Sequence, residues 1–166
     1  LVQSVYNSYK DNPKQFVDRI NSYGLNKPLG LPIKGEGKPV IPQPGTNRWS
    51  GVALPWMAFG YGLSVTPLQT LTLYNAVAND GVMIKPIFVS EIKEWNKTIK
   101  KFNTEVINPK ICSQETLDKV QAVLENVVKK GTGSKLYSKD FSMAGKTGTA
   151  QVNYKDKSKL YYASSF

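Results

Sequence analysis

The sequence predicts a mixed α/β fold, an antiparallel sheet flanked by helices, and three observations carry that prediction. Two helices are marked by their end signals at Thr66 and Ser113. Short alternating runs near 86–102 and 141–166 read as hairpin strands, and no internal repeat or low-complexity tract competes with a packed domain.

Taken in order, the first segment reads as the end of one helix, followed by a second that Asn12 caps and Pro13 opens. Phe16, Val17 and Ile20 form its apolar stripe and Gly24 lies just past its end. Between 25 and 51, five prolines (Pro28, Pro32, Pro39, Pro42, Pro44) among glycines predict a long irregular loop. The stretch 49–79 carries no formal charge and is long enough to cross a bilayer. Pro55, Gly60, Gly62, Pro67, Gln69 and Asn75 interrupt it, so it reads as the interior of a domain.

Thr66-Pro67-Leu68-Gln69 is a capping box. The threonine oxygen serves an orphan amide of the first turn, proline has the φ that turn needs, and glutamine reaches back to the cap amide. A helix is expected from about 67 to 79, ended by Gly81. With Leu68, Leu71, Leu73, Tyr74, Ala76, Val77 and Ala78 on every side, it should be buried nearly all round. Residues 86–94 and 98–102 then form a hairpin around Asn96. Ser113 caps a helix over 114–129 that carries Leu117, Val120, Leu124, Val127 and Val128 at helical spacing. Lys129 and Lys130 suit its negative end, and Gly131 ends it. Residues 141–152 and 160–166 are expected as two strands joined by the polar turn 153–159.

Composition narrows the chemistry. Forty per cent hydrophobic and 20% charged residues in 166 suit one domain with a core. The net charge of +10 favours an acidic partner, but the basic residues are scattered, which argues for a solvated surface rather than a nucleic-acid site. There is no histidine, so imidazole metal sites and Ser-His-Asp chemistry are excluded within the chain, and acyl transfer would have to use lysine. No cofactor is expected. The single cysteine, Cys112, has no intrachain partner and no histidine to activate it.

Lys146-Thr147-Gly148 lies within the predicted strand 141–152. If the segment is a strand, Thr147 and Thr149 share one face while Lys146 and Gly148 take the other. Two hydroxyls and a nearby ammonium can bind a peptide ending in a carboxylate, and Gly148 removes bulk where a substrate backbone approaches. Residues 143–152, Met-Ala-Gly-Lys-Thr-Gly-Thr-Ala-Gln-Val, resemble the Lys-Thr-Gly strand of class B penicillin-binding proteins. Phe59-Gly60-Tyr61-Gly62-Leu63 through Gln69, with Ala78-Asn79-Asp80-Gly81, is similar to the glycine-rich turn and helix of that family, in a form nearer the cell-division type than the elongation type. Val127-Val128 with Gly131-Thr132-Gly133 is a third match.

The resemblance implies the penicillin-binding protein and serine β-lactamase-like transpeptidase fold, with residues 1–166 as an incomplete, C-terminal portion of one domain. It implies a peptidoglycan DD-transpeptidase that cross-links stem peptides and is acylated by β-lactams. In that family a Ser-x-x-Lys supplies nucleophile and base and a Ser-x-Asn completes the proton path. Both are expected upstream of Leu1, so this chain alone should be inactive. Ser90-Glu91-Ile92-Lys93 spells the first pattern but falls in a predicted hairpin strand, where serine and lysine cannot stand one helical turn apart. The resemblance further implies that Lys146 and the Thr149 amide, as an oxyanion-hole donor, take part in catalysis, and that Thr147, Gly148 and Thr149 bind substrate. Expected partners are D-Ala-D-Ala stem peptides, β-lactams, a glycan polymerase and division proteins, with no nucleic acid. The expected location is extracytoplasmic (periplasmic), on a protein anchored in the inner membrane by another segment. A non-catalytic β-lactam or muropeptide sensor on the same scaffold is the alternative.

Overall fold

In a computed structural model, residues 1–153 and 156–166 are described; Tyr154 and Lys155, part of the predicted polar turn, lie outside the described residues. The chain forms two compact units, Leu1–Ile111 and Cys112–Phe166.

In the first unit, α1 (Val2–Tyr9) leads to α2 (Pro13–Ser22), and the α2 stripe builds the core. Val17 is fully buried with Ile41 and Met57, and Phe16, Ile20, Leu25, Trp49 and Leu63 pack around them. The proline-rich segment that follows has no regular element, yet it is tied down. The Glu36 carboxylate accepts the amides of Leu29 and Leu31, and Val40 and Ser64 exchange backbone bonds of 2.7 and 2.8 Å. The short helix α3 (Ala53–Met57) leads to a turn in which Gly60 and Gly62 take φ of 96° and 76°, values open to glycine and strained for other residues. Tyr61 meets Trp56 edge-on at 5.7 Å and Phe59 at 5.4 Å, so these aromatics pack against one another within this turn.

Helix α4 (Pro67–Ala78) carries the full capping box: Thr66 Oγ1 accepts from the Gln69 amide and Gln69 Oε1 accepts from the Thr66 amide. The expectation that α4 is buried all round is corrected. Its buried residues are Gln69, Thr72 and Ala76, while Leu71 is 61% and Tyr74 40% exposed. A helix with no polar stripe does not specify which side faces the interior, so hydrogen bonds decide it. Gln69 Nε2 donates to the carbonyls of Leu25 (3.2 Å) and Lys27 (2.8 Å), and Thr72 Oγ1 donates to Leu68 O.

The antiparallel sheet takes the form of separate two-stranded ribbons. β1 (Met83–Ile84) pairs with β4 (Val106–Asn108), a pairing the sequence does not signal. β2 (Glu91–Glu94) pairs with β3 (Lys97–Lys101) through a two-residue turn, Trp95-Asn96, with φ of 47° and 65°. Ser90 and Lys93 therefore sit on this hairpin and not on a helix. The Lys93 Nζ is paired to Glu91 at 2.6 Å, and the Ser90 carbonyl accepts the Phe102 amide.

In the second unit, Ser113 Oγ accepts the Thr116 amide and opens α5 (Gln114–Lys129), with Leu117 and Val128 buried. A short 3-10 turn, Ser134–Leu136, follows, and β5 (Gly148–Val152) pairs with β6 (Tyr161–Ser165) from Gly148↔Ser165 to Val152↔Tyr161. The predicted strand 141–152 is thus shorter by seven residues at its start. Pairing with β6 ends at Ser165, and the Gly145 amide donates instead to the Leu124 carbonyl of α5 at 3.2 Å. Residues 141–147 follow α5 as irregular chain.

Candidate functional site

All four sequence-predicted site residues fall at the start of β5, Lys146 and Thr147 just before it and Gly148 and Thr149 opening it. Alternation governs only the strand itself. Thr149 and Gln151 lie on its exposed side, while Gly148, Ala150 and Val152 are half-buried. Thr149 stands opposite Ser164, and Gln151 donates from Nε2 to the Tyr162 hydroxyl at 3.0 Å, so this side of the ribbon is a polar ladder.

Lys146 and Thr147 precede the strand, and the expectation that they take opposite faces is corrected. Lys146 curls back so that Nζ donates to the Thr147 carbonyl at 2.6 Å and to Thr147 Oγ1 at 3.3 Å. Thr147 Oγ1 is also 2.9 Å from Thr132 Oγ1. An ammonium and two hydroxyls therefore form one cluster, with the exposed Thr149 two residues further along.

The electrostatics leave Lys146 available. Among the described residues its bonds go to neutral oxygens and no carboxylate pairs with it. Nearby in sequence, Lys129 is already matched with Glu125 at 2.6 Å. The Lys129 hydrogen bond and charge hold the Glu125 carboxyl below its usual range, and Glu125 raises Lys129 in return. An exposed cation without a counter-charge beside hydroxyl donors suits a carboxylate ligand, with charge-assisted bonds of roughly twice the neutral strength. A pocket of about 290 Å³ in this unit is lined by Val128, Lys129 and residues 137–143, and not by Lys146, Thr147 or Thr149.

Thr132 is the residue that reasoning on the Lys-Thr-Gly tripeptide misses. Its signal is Gly131-Thr132-Gly133 directly after a helix: the amides of Gly131 and Gly133 both donate to Val127 O, at 3.2 and 3.0 Å, and hold Thr132 at the apex of that turn. The glycines have packing reasons of their own. A Cβ on Gly145 would lie 2.5 Å from the Phe166 ring, and one on Gly148 2.6 Å from Ser165 Oγ, so Gly148 makes room for its cross-strand serine.

At Gly131 a Cβ would meet Val127 O at 2.9 Å and Val127 Cα at 3.0 Å, backbone atoms that cannot swing aside. Gly131→Ala is therefore expected to cost about 1–3 kcal/mol through a forced backbone shift. Gly51→Ala, where nothing lies within 4 Å, should change stability by less than about 0.5 kcal/mol. Denaturant midpoints of the two variants check this, and equal midpoints would refute the tight turn.

Comparison with known proteins shows the family. The family described as "Penicillin binding protein transpeptidase domain" matches residues 4–166. Stage V sporulation protein D of Bacillus subtilis strain 168 is 33% identical over 137 residues, 80% of this chain and 20% of that protein. Peptidoglycan D,D-transpeptidase FtsI of Escherichia coli strain K12 is 31% identical over 136 residues, 81% of this chain and 21% of that protein. The chain thus spans about a fifth of the length of these curated relatives. Among solved structures, penicillin-binding protein 3 of Mycobacterium tuberculosis in complex with ampicillin matches with a TM-score of 0.72 and 29% identity, covering 92% of this chain and 34% of that one.

Proposed function

Because this chain belongs to the penicillin-binding protein transpeptidase domain family, we propose that it is the carboxylate-receiving part of a peptidoglycan DD-transpeptidase. The observation that carries this reading is the Lys146–Thr147–Thr132 cluster, an ammonium with no acidic partner among the described residues, next to the exposed Thr149. The terminal carboxylate of a D-Ala-D-Ala stem peptide, or the carboxylate of a β-lactam, would take the hydroxyls of Thr147 and Thr149, with Lys146 supplying positive potential. The Thr149 amide would donate to the oxyanion that develops when the acyl carbonyl is attacked. Gly148 would let the substrate backbone approach as an added strand.

The attacking serine and its lysine would come from a Ser-x-x-Lys upstream of Leu1, with a Ser-x-Asn also upstream. The serine oxygen would bond to the acyl carbon as the terminal D-alanine leaves with the serine's proton, and an amine of a second stem peptide would then bond to that carbon, breaking the serine ester and passing its proton back to the serine oxygen through the lysine. Among the described residues no helix is long and apolar enough to cross a membrane, and an extracytoplasmic location with the anchor in another segment is part of the proposal. So are a glycan polymerase and division proteins as partners, the last from the Phe59 to Leu63 turn.

Fluorescent penicillin labelling tests this reading. The full-length protein is expected to label at a serine upstream of residue 1, and the 166-residue chain is expected not to label. Labelling of the chain at Ser90 would overturn the assignment of the nucleophile. A full-length protein that labels but forms no cross-linked product would be a sensor, and one that does not label at all would refute β-lactam recognition.

A further inference from the structure

We infer that Thr132 is a positioning residue that sets the direction in which the Thr147 hydroxyl presents its proton, aiming it at the carboxylate of the acyl donor. The inference rests on the carboxylate-binding role proposed above for residues 146–149. It concerns a residue 14 positions upstream of that segment's first member, outside the tripeptide.

A threonine hydroxyl has one proton and two lone pairs. Among the described residues Thr147 Oγ1 has as hydrogen-bond neighbours Lys146 Nζ at 3.3 Å and Thr132 Oγ1 at 2.9 Å. An ammonium has no lone pair, so Lys146 can only donate, and it takes up one lone pair of Thr147. The contact with Thr132 can run either way. If Thr147 gave its proton to Thr132, none would remain for a ligand. When an anion arrives outside the cluster, the favourable arrangement is the reverse: Thr132 donates into the second lone pair, and the Thr147 proton has only the outward direction left. That proton then makes a charge-assisted bond, strengthened by the two donors behind it.

The turn makes this stable. Gly131 and Gly133 anchor both sides of Thr132 on the single carbonyl of Val127, so the hydroxyl is held by backbone and not by a flexible loop. The ligand class follows from the geometry. The arrangement serves acyl donors with a carboxylate next to the scissile bond, and an esterified donor gains nothing from it.

The test uses the full-length protein and two acyl donors, a carboxylate-bearing thioester and its methyl ester. Thr132→Val keeps the β-branched shape and removes the oxygen, and Thr132→Ser keeps the oxygen. Loss of one hydrogen bond of about 1–1.5 kcal/mol predicts a kcat/KM roughly tenfold lower for the acid, mostly through KM. The ester has no carboxylate to receive that bond and should change less than about twofold, within the spread expected where no bond is lost, and Thr132→Ser should recover most of the loss. Should Thr132→Val fold poorly, Thr132→Ala is read on the same acid-to-ester ratio, because a loss of folded protein scales both donors alike. A Thr132→Val effect equal for the two donors, or absent for both, overturns this inference alone. A wild-type protein acylated by neither donor overturns the proposed function and this inference with it.

Discussion

Lys146→Met in the full-length protein is expected to slow acylation by a carboxylate-bearing β-lactam roughly 10- to 100-fold. A hydrogen bond involving a charged group is worth about 1.5–3 kcal/mol, and about 1.4 kcal/mol is a decade in rate. Methionine has similar length and apolar stem but no charge, so the bonds to Thr147 O and Oγ1 go together with the positive potential. Because Lys146 is exposed and pairs with no acid among the described residues, folding should hardly notice the change. An unaltered acylation rate in a well-folded variant would remove Lys146 from the site. Lys146→Arg is not a safe control, since the planar guanidinium cannot reproduce a point contact on one carbonyl and one hydroxyl.

The second large effect is on stability. Gln69→Leu is expected to lower the unfolding free energy by about 2–4 kcal/mol, although it places an apolar residue at a site that is 1% exposed. Gln69 makes three bonds at once: Oε1 accepts the Thr66 amide, and Nε2 serves the Leu25 and Lys27 carbonyls. Leucine leaves an amide and two carbonyls without their partner, each worth about 1–3 kcal/mol where no water replaces it, offset in part by the burial of methylenes. Gln69→Glu sharpens the test. At neutral pH its carboxylate would face two carbonyl oxygens with no proton to give, so it should be worse than leucine. Acidification that protonates it should restore one of the two bonds. Denaturant midpoints at neutral and acid pH read both effects, and equal stability of all three proteins would show that the bonds contribute nothing net.

The contrast between α4 and β5 explains how far sequence reasoning reached. Helix ends were legible because caps are local. Thr66, Pro67 and Gln69 satisfy each other within one turn, as do Ser113 and Thr116, so a few residues settle where a helix begins. The hairpin around Trp95-Asn96 is legible for the same reason. Which side of α4 faces inward was not legible, because an apolar helix has no preferred face and the choice depends on carbonyls more than 40 residues away. The start of β5 was misjudged in the same way. A strand exists only as far as its partner runs, and Gly145 is bonded to α5 instead.

The candidate site divides along the same line. Lys146, Thr147, Gly148 and Thr149 are legible as candidates from their order alone, because a tetrapeptide with two hydroxyls and an ammonium carries its chemistry on adjacent residues. Thr132 is not, since its tie to Thr147 spans 15 residues and forms only when the turn after α5 comes back to the segment that enters β5.

By itself the sequence determined the mixed α/β class, the helix caps, the hairpin tip and the chemistry available at residues 146–149, all of which depend on residues within a turn or two of one another. Tertiary structure decided the exposed side of α4, the onset of β5, the approach of Ser165 to Gly148 and the partners of the Thr147 hydroxyl. Those depend on atoms brought together from distant parts of the chain, where burial and hydrogen-bond satisfaction, and not local propensity, choose the arrangement.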